Sequence, residues 1–273
     1  MIDLSLIDFL LFVVVGCGVG FLAGLFGVGG GFIMVPILIF SYEHSGLSPS
    51  VLTHIALGTS LFVVVFASIM SAYQHRKQKN IHWRSVFVIG FSSALTAFAT
   101  TRLAAVLSGR HLRVAFAIIV ITAAIRMLTE SEKQAQKKLE WSSGPRTFSL
   151  AGVGLAAGVV SALAGIGGGV FTIPLMYNIL KMPLKLAIGT SSAAIMITAF
   201  FSVSGYILNG IGRPGLPEWC VGFVDLQHGV ALAIGSVFLA RAGAYVSFKT
   251  HPFRLRKLFA LFVILISIYI LVK

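Results

Sequence analysis

The stretch that most constrains the fold is Gly24-Leu25-Phe26-Gly27-Val28-Gly29-Gly30-Gly31-Phe32-Ile33-Met34-Val35-Pro36. It interrupts a long apolar run with glycines and closes on a proline. A near copy lies 138 residues further on, Ala162-Leu163-Ala164-Gly165-Ile166-Gly167-Gly168-Gly169-Val170-Phe171-Thr172-Ile173-Pro174. The register extends upstream, where Gly16 and Gly20 fall on Gly154 and Gly158. Each copy predicts a helix that unwinds at the glycines and restarts before the proline. Glycine reaches backbone angles closed to other residues, and proline is tolerated early in a new helical turn.

A chain with 57% hydrophobic residues, 11% charged residues and a mean hydropathy of +0.96 has too little polar surface for a soluble domain. Apolar runs of near twenty residues recur along it, each able to cross a hydrocarbon core of ~30 Å. The fold class is therefore an all-α polytopic membrane protein, multi-pass in a cell (inner) membrane. The net charge of +13 comes from 21 Lys and Arg against 8 Asp and Glu. These charges sit in short loops, so they read as topology signals and lipid-headgroup contacts, not as a nucleic-acid surface. The N-terminus has no basic region and no small-residue cleavage site, so no removed signal peptide is expected. Cys17 and Cys220 make no disulfide framework, and Cys17 is read as a packing thiol.

The second half replays the first. Ala56-Leu57-Gly58-Thr59-Ser60 answers Ala187-Ile188-Gly189-Thr190-Ser191, and Arg102 answers Arg241. Residues 1–130 form one repeat half, 131–146 a cytoplasmic linker, and 147–273 the other half. Each half carries five apolar segments, an odd number, so the halves are expected to lie oppositely in the membrane as inverted-topology repeats. Placing the basic 75–84 loop inside also places inside the linker, Lys181 and Lys185, and the 249–257 cluster. The 41–50 and 209–225 loops then fall outside with both termini; Arg110 and Arg113 dissent. The second segment of each half is too short to show whether it spans or re-enters.

Unpaired backbone groups in hydrocarbon are tolerated where they line a cavity or are buried in protein. The Gly27, Gly29, Gly30, Gly31 cluster with Pro36, and Gly165, Gly167, Gly168, Gly169 with Pro174, are read as cavity-lining breaks. Free N–H groups at a half-helix start suit an anion. Gly16, Gly20 and Gly24 are read as a helix-packing stripe. Thr59 and Ser60, with Thr190, Ser191 and Ser192, follow the breaks and can line a polar path. Arg102 and Arg241 lie within apolar runs, where either anion binding or snorkelling would account for them. His54 has two readings as well, a proton-linked residue or a packing histidine. No acidic residue falls mid-segment, which favours anions over cations. No metal site or cofactor is expected, and no HExxH, GxSxG or His/Asp cluster supports a membrane enzyme.

The paired GxGGGxxxxP breaks, each followed by a small-Gly-Thr-Ser element, resemble the TauE/SafE family of sulfite exporters over essentially the whole chain. The matching positions are Gly27, Gly29–Gly31, Pro36 and Gly58-Thr59-Ser60, with Gly165, Gly167–Gly169, Pro174 and Gly189-Thr190-Ser191. The resemblance implies a secondary transporter in the lipid bilayer. It would export a small oxyanion, sulfite or an organosulfonate such as sulfoacetate, by alternating access at a midplane site. A same-fold carrier of thiosulfate or a small carboxylate, and an anion channel, are the alternatives. The oligomeric state stays open.

Overall fold

A computed structural model of the chain describes residues 6–108, 110–112, 114, 118, 147–251, 257 and 261. In the first half lie helices α1 (Leu6–Phe26), α2 (Gly31–His44), α3 (Pro49–Lys77) and α4 (Trp83–Val106). In the second lie α5 (Thr147–Ala164), α6 (Gly169–Asn178), α7 (Leu184–Gly210) and α8 (Leu226–Lys249). A small antiparallel hairpin, β1 (Cys220–Val221) with β2 (Val224–Asp225), leads into α8. Six of these helices, all but α2 and α6, are long and apolar enough to cross a membrane. The protein is a multi-pass membrane protein, as its composition predicts. Leu6, Ile7 and Val14 of α1, Phe91 and Leu95 of α4, and Phe148 of α5 stand exposed on the outside of the bundle. Such a surface suits lipid and not water. The 131–146 linker and most of the fifth apolar run of each half lie outside the described residues.

Helix direction follows from which residues meet. Gly16, Gly20 and Gly24 of α1 abut Leu232, Ser236 and Ala240 of α8, so the two run in the same sense. Thr59 and Phe62 of α3 lie at Gly229, and Gln74 bonds Arg241, which gives α3 that sense too. Gly154 and Gly158 of α5 meet Ile89 and Ser93 of α4, while Gly90 and Thr101 of α4 meet Ile197 and Gly205 of α7. The helices α5, α4 and α7 therefore also share one sense. Between the two sets the sense reverses: Gly58 approaches Tyr206, and Ser71 of the same helix bonds Ser192.

Because α1 and α3 point the same way, the first break and α2 must carry the chain back across between them. At 1.5 Å per residue, α2 is about 21 Å long and α6 about 15 Å. Neither crosses ~30 Å of hydrocarbon alone. The extended glycine segments make up part of the difference.

The upstream glycine stripe packs helices, as its spacing predicts. A β-carbon at Gly16 would fall within 2.9 Å of the Leu232 Cα, and one at Gly24 within 2.8 Å of the Ala244 amide nitrogen. Without a hydrophobic drive in lipid, such close backbone approach is what holds membrane helices together. α3 and α7 form the inner pair: 72% of each apolar window is buried, against 39% to 50% in the other spans.

Candidate functional site

The two breaks share one backbone conformation. Gly27, Gly29 and Gly30 have φ of 68°, 79° and 83°; Gly165, Gly167 and Gly168 have 66°, 78° and 84°. These left-handed angles are costly for any residue with a β-carbon, which explains glycine at all six positions. The N–H groups of Gly27 and Gly165 close α1 and α5 by donating to Ala23 O and Ser161 O, each at 2.9 Å. Gly30 and Gly168 then serve as N-caps of α2 and α6. Pro36 and Pro174 lie inside those helices, at the sixth residue and not in the first turn as expected. Each removes the bond that would run back to the carbonyl of Phe32 or Val170.

The breaks meet. A β-carbon on Gly31 would lie 2.5 Å from Gly165 O and 2.7 Å from Ile166 Cα, and one on Gly169 2.7 Å from Val28 Cα. Gly29 and Gly167 both rest against Val64 of α3 and Ile195 of α7, close to the midpoints of those helices. Val28 and Ile166 are wholly buried, and every residue from 27 to 31 and from 165 to 169 is closed off from solvent. The starts of α2 and α6 thus lie together at the centre of the bundle. The Ile33 and Phe171 N–H groups already donate to Gly30 O and Gly168 O at 3.1 Å, and the positive end of each helix dipole still favours negative charge here.

The Gly-Thr-Ser elements explain how the loops and breaks are held. Gly58 leaves room for the Phe223 carbonyl, and Gly189 for that of Asn80. Thr59 Oγ1 accepts the Asp225 N–H at 2.9 Å, and Thr190 Oγ1 accepts the His82 N–H at 3.0 Å. Asp225 and His82 are themselves N-caps, of α8 and α4, accepting from the N–H groups of His228 and Ser85. The element on each half's long helix therefore anchors a helix start: α3 holds that of α8, and α7 that of α4. Ser60 Oγ donates to Gly165 O at 2.8 Å, tying α3 to the opposite half's break. Its counterpart Ser191 has a buried hydroxyl with no hydrogen-bond partner among the described residues. Ser192 donates to Ile188 O at 3.1 Å and accepts from Ser71 at 3.0 Å.

The remaining candidates are not brought to the breaks. Arg102 and Arg241 are both exposed. Arg241 Nε donates to Gln74 Oε1 at 3.2 Å, and its guanidinium lies 5.7 Å over the Tyr73 ring. His54 Nε2 lies 3.1 Å from both the Ala104 and Leu107 carbonyls, and the ring stacks on Phe223. It holds the C-terminal end of α4 against the hairpin, in keeping with its packing reading.

Sequence reasoning missed one cluster. Asp225 ends the 209–225 loop that the sequence places outside, yet it is 1% exposed. Its Oδ2 accepts from the Tyr42 hydroxyl at 3.0 Å and lies 2.6 Å from His228 Nδ1. The available signal was the Asp-x-x-His capping spacing just before an apolar run, which matches His82-x-x-Ser85 in the first half. The hairpin folds back between α3 and α7 and brings the carboxylate inward. Beside it, burial and then Asp225 push the Cys220 thiol up to about 12. Among the described residues no group of His, Cys, Asp and Glu is placed to hold a metal.

Residues 12–270 match the family model described as Sulfite exporter TauE/SafE. A probable membrane transporter protein of Haemophilus influenzae is 33% identical over 264 residues, covering 97% of this chain and 98% of that protein. One from Methanocaldococcus jannaschii is 32% identical, covering 90% of this chain and 89% of its own. One from Bacillus subtilis is 25% identical over 256 residues, covering 89% of each. No solved structure matches the chain.

Proposed function

The chain belongs to the sulfite exporter TauE/SafE family of membrane transporters, and from that premise we propose that it is a secondary carrier which exports a small oxyanion, sulfite or an organosulfonate such as sulfoacetate, across the inner membrane. The observation that carries this reading is the meeting of two helix N-termini at the buried glycine breaks. Two half-helix dipoles converging near the middle of α3 and α7 make a site for one negative charge, built from backbone and hydroxyls. Substrate contacts fall to Gly27, Gly29–Gly31, Gly165 and Gly167–Gly169, with Ser60 beside them and Ser191 as its counterpart in the second half.

Residues 1–130 and 147–273 act as inverted repeats in this scheme. Support comes from helix sense: α1, α3 and α8 run together, opposite to their counterparts α5, α7 and α4. The buried breaks correspond to a closed conformer, and alternating access opens the site by moving one half against the other. Thermal-shift titration of the purified protein with sulfite, sulfoacetate, thiosulfate and sulfate tests the substrate class. Sulfite or a sulfonate should stabilise it most. A response to thiosulfate or small carboxylates alone would replace the substrate while keeping the carrier.

A further inference from the structure

We propose that Asp225, His228 and Tyr42 form a proton-binding site at the face opposite the 78–82 turn, and that its proton is the coupling ion of transport. The inference rests on the carrier reading above. Thr59, which holds this cluster, and His75, which precedes the 78–82 turn, are sixteen residues apart on α3, about 24 Å. The two loops therefore belong to opposite ends of the bundle.

Both Asp225 oxygens are engaged: Oδ1 accepts the His228 N–H at 3.1 Å, and Oδ2 takes the Tyr42 hydroxyl and His228 Nδ1. A buried carboxylate in a membrane protein is costly and persists where it is paired and used. The fold itself does not require it. At the equivalent position His82 caps α4 through Nδ1 and bonds Thr190 by the same backbone N–H, with Ser85 where His228 stands. The acid–histidine pair is thus an asymmetry placed on a duplicated scaffold.

Among the described residues, these groups are seen to meet the pair. From α1 the imidazole meets Phe12, from α2 Tyr42, and from α3 Thr59 reaches the Asp225 backbone. From the hairpin comes Cys220, whose raised pKa keeps it a neutral thiol. With a neutral imidazole donating Nδ1–H to the carboxylate, the pair carries one negative charge. A proton taken up on Nε2 brings it to zero, and the His228 side chain, in the first turn of α8, is 11% exposed. An anion passing between the breaks and this face meets repulsion in the first state and none in the second. The pair also connects to the breaks, since Thr59 holds Asp225 while the adjacent Ser60 holds Gly165.

The test uses purified full-length protein in proteoliposomes with radiolabelled methanesulfonate, which does not titrate near neutral pH, and with sulfite. An imposed pH gradient should drive accumulation by the wild type. In Asp225→Asn and His228→Gln, the ratio of gradient-driven accumulation to anion exchange should fall about tenfold or more, a loss of the size seen when an ionic partner is removed. Asn caps helices as well as Asp does, so the first variant keeps its fold. Independently of any flux, proton uptake by the solubilised protein should be one proton lower in His228→Gln. Proton uptake by Asp225→Asn should likewise differ from that of the wild type. An unchanged ratio in both variants, or wild-type proton uptake in both, overturns the proposal. If neither anion moves through the wild type, the carrier reading fails, and the proton titration alone then decides the site.

Discussion

A β-carbon on Gly30 would lie 2.8 Å from Val19 Cγ1 and 3.1 Å from Ala23 Cβ, at a residue whose φ of 83° already disfavours any L side chain. A Gly30→Ala protein should lose roughly 1–2 kcal/mol from the backbone angle alone, read as a lower melting temperature in detergent. Gly18→Ala is the control, since among the described residues no atom beyond its own stretch of helix lies within 4 Å of its added carbon, and it should melt with the wild type or slightly above. Cys220 gives a second residue-level prediction. Its pKa, pushed up to about 12, leaves far less thiolate near neutral pH than an ordinary cysteine has, so maleimide labelling should be slow. Replacing Asp225 with Asn removes one of the two causes and should speed it; an Asp225→Asn rate equal to that of the wild type would leave burial as the whole cause. Arg102 and Arg241, exposed and clear of the breaks, should tolerate Lys with no change in anion affinity, as snorkelling side chains do.

Between elements, the threonines of the two Gly-Thr-Ser motifs carry matching tasks. Thr59 and Thr190 each accept one N–H, from Asp225 and His82 respectively. Thr59→Val and Thr190→Val should therefore each cost about 1–3 kcal/mol, the penalty of a buried donor left unmade, while Thr→Ser should recover most of it. A Val variant that melts with the wild type while the Ser variant melts lower would show that the methyl group, not the hydroxyl, matters there. The glycine breaks were readable in the sequence because angles above zero demand glycine, so the pattern survives in both copies. What Gly58 and Thr59 do was not, because their partners Phe223 and Asp225 lie more than 160 residues away in the chain. Only the folded hairpin brings them together. The same holds for Asp225 itself, whose burial depends on how deeply the loop before α8 returns into the bundle.

At the scale of the whole molecule, apolar run lengths and loop charge convey class, span positions and the likeness of the two halves. They do not convey which helices touch, since α1 pairs with α8 and α5 with α4 across the halves. Sidedness is open to a direct check. The 75–84 loop, with Arg76, Lys77, Lys79 and Arg84, should face the cytoplasm, so an impermeant thiol reagent added to intact cells should miss Lys77→Cys and reach Ser48→Cys. The reverse labelling would contradict the orientation. The central claim is that the two glycine breaks together form the anion site of a carrier. Sulfite exchange in proteoliposomes tests it most directly, comparing wild type, Gly18→Ala, Gly30→Ala and Gly168→Ala at equal folded protein. The carrier scheme predicts saturable exchange, accelerated by sulfite on the far side, in the wild type and Gly18→Ala, and its loss in both Gly30→Ala and Gly168→Ala. Normal exchange through the two break variants, or flux that neither saturates nor responds to sulfite on the far side, would contradict it.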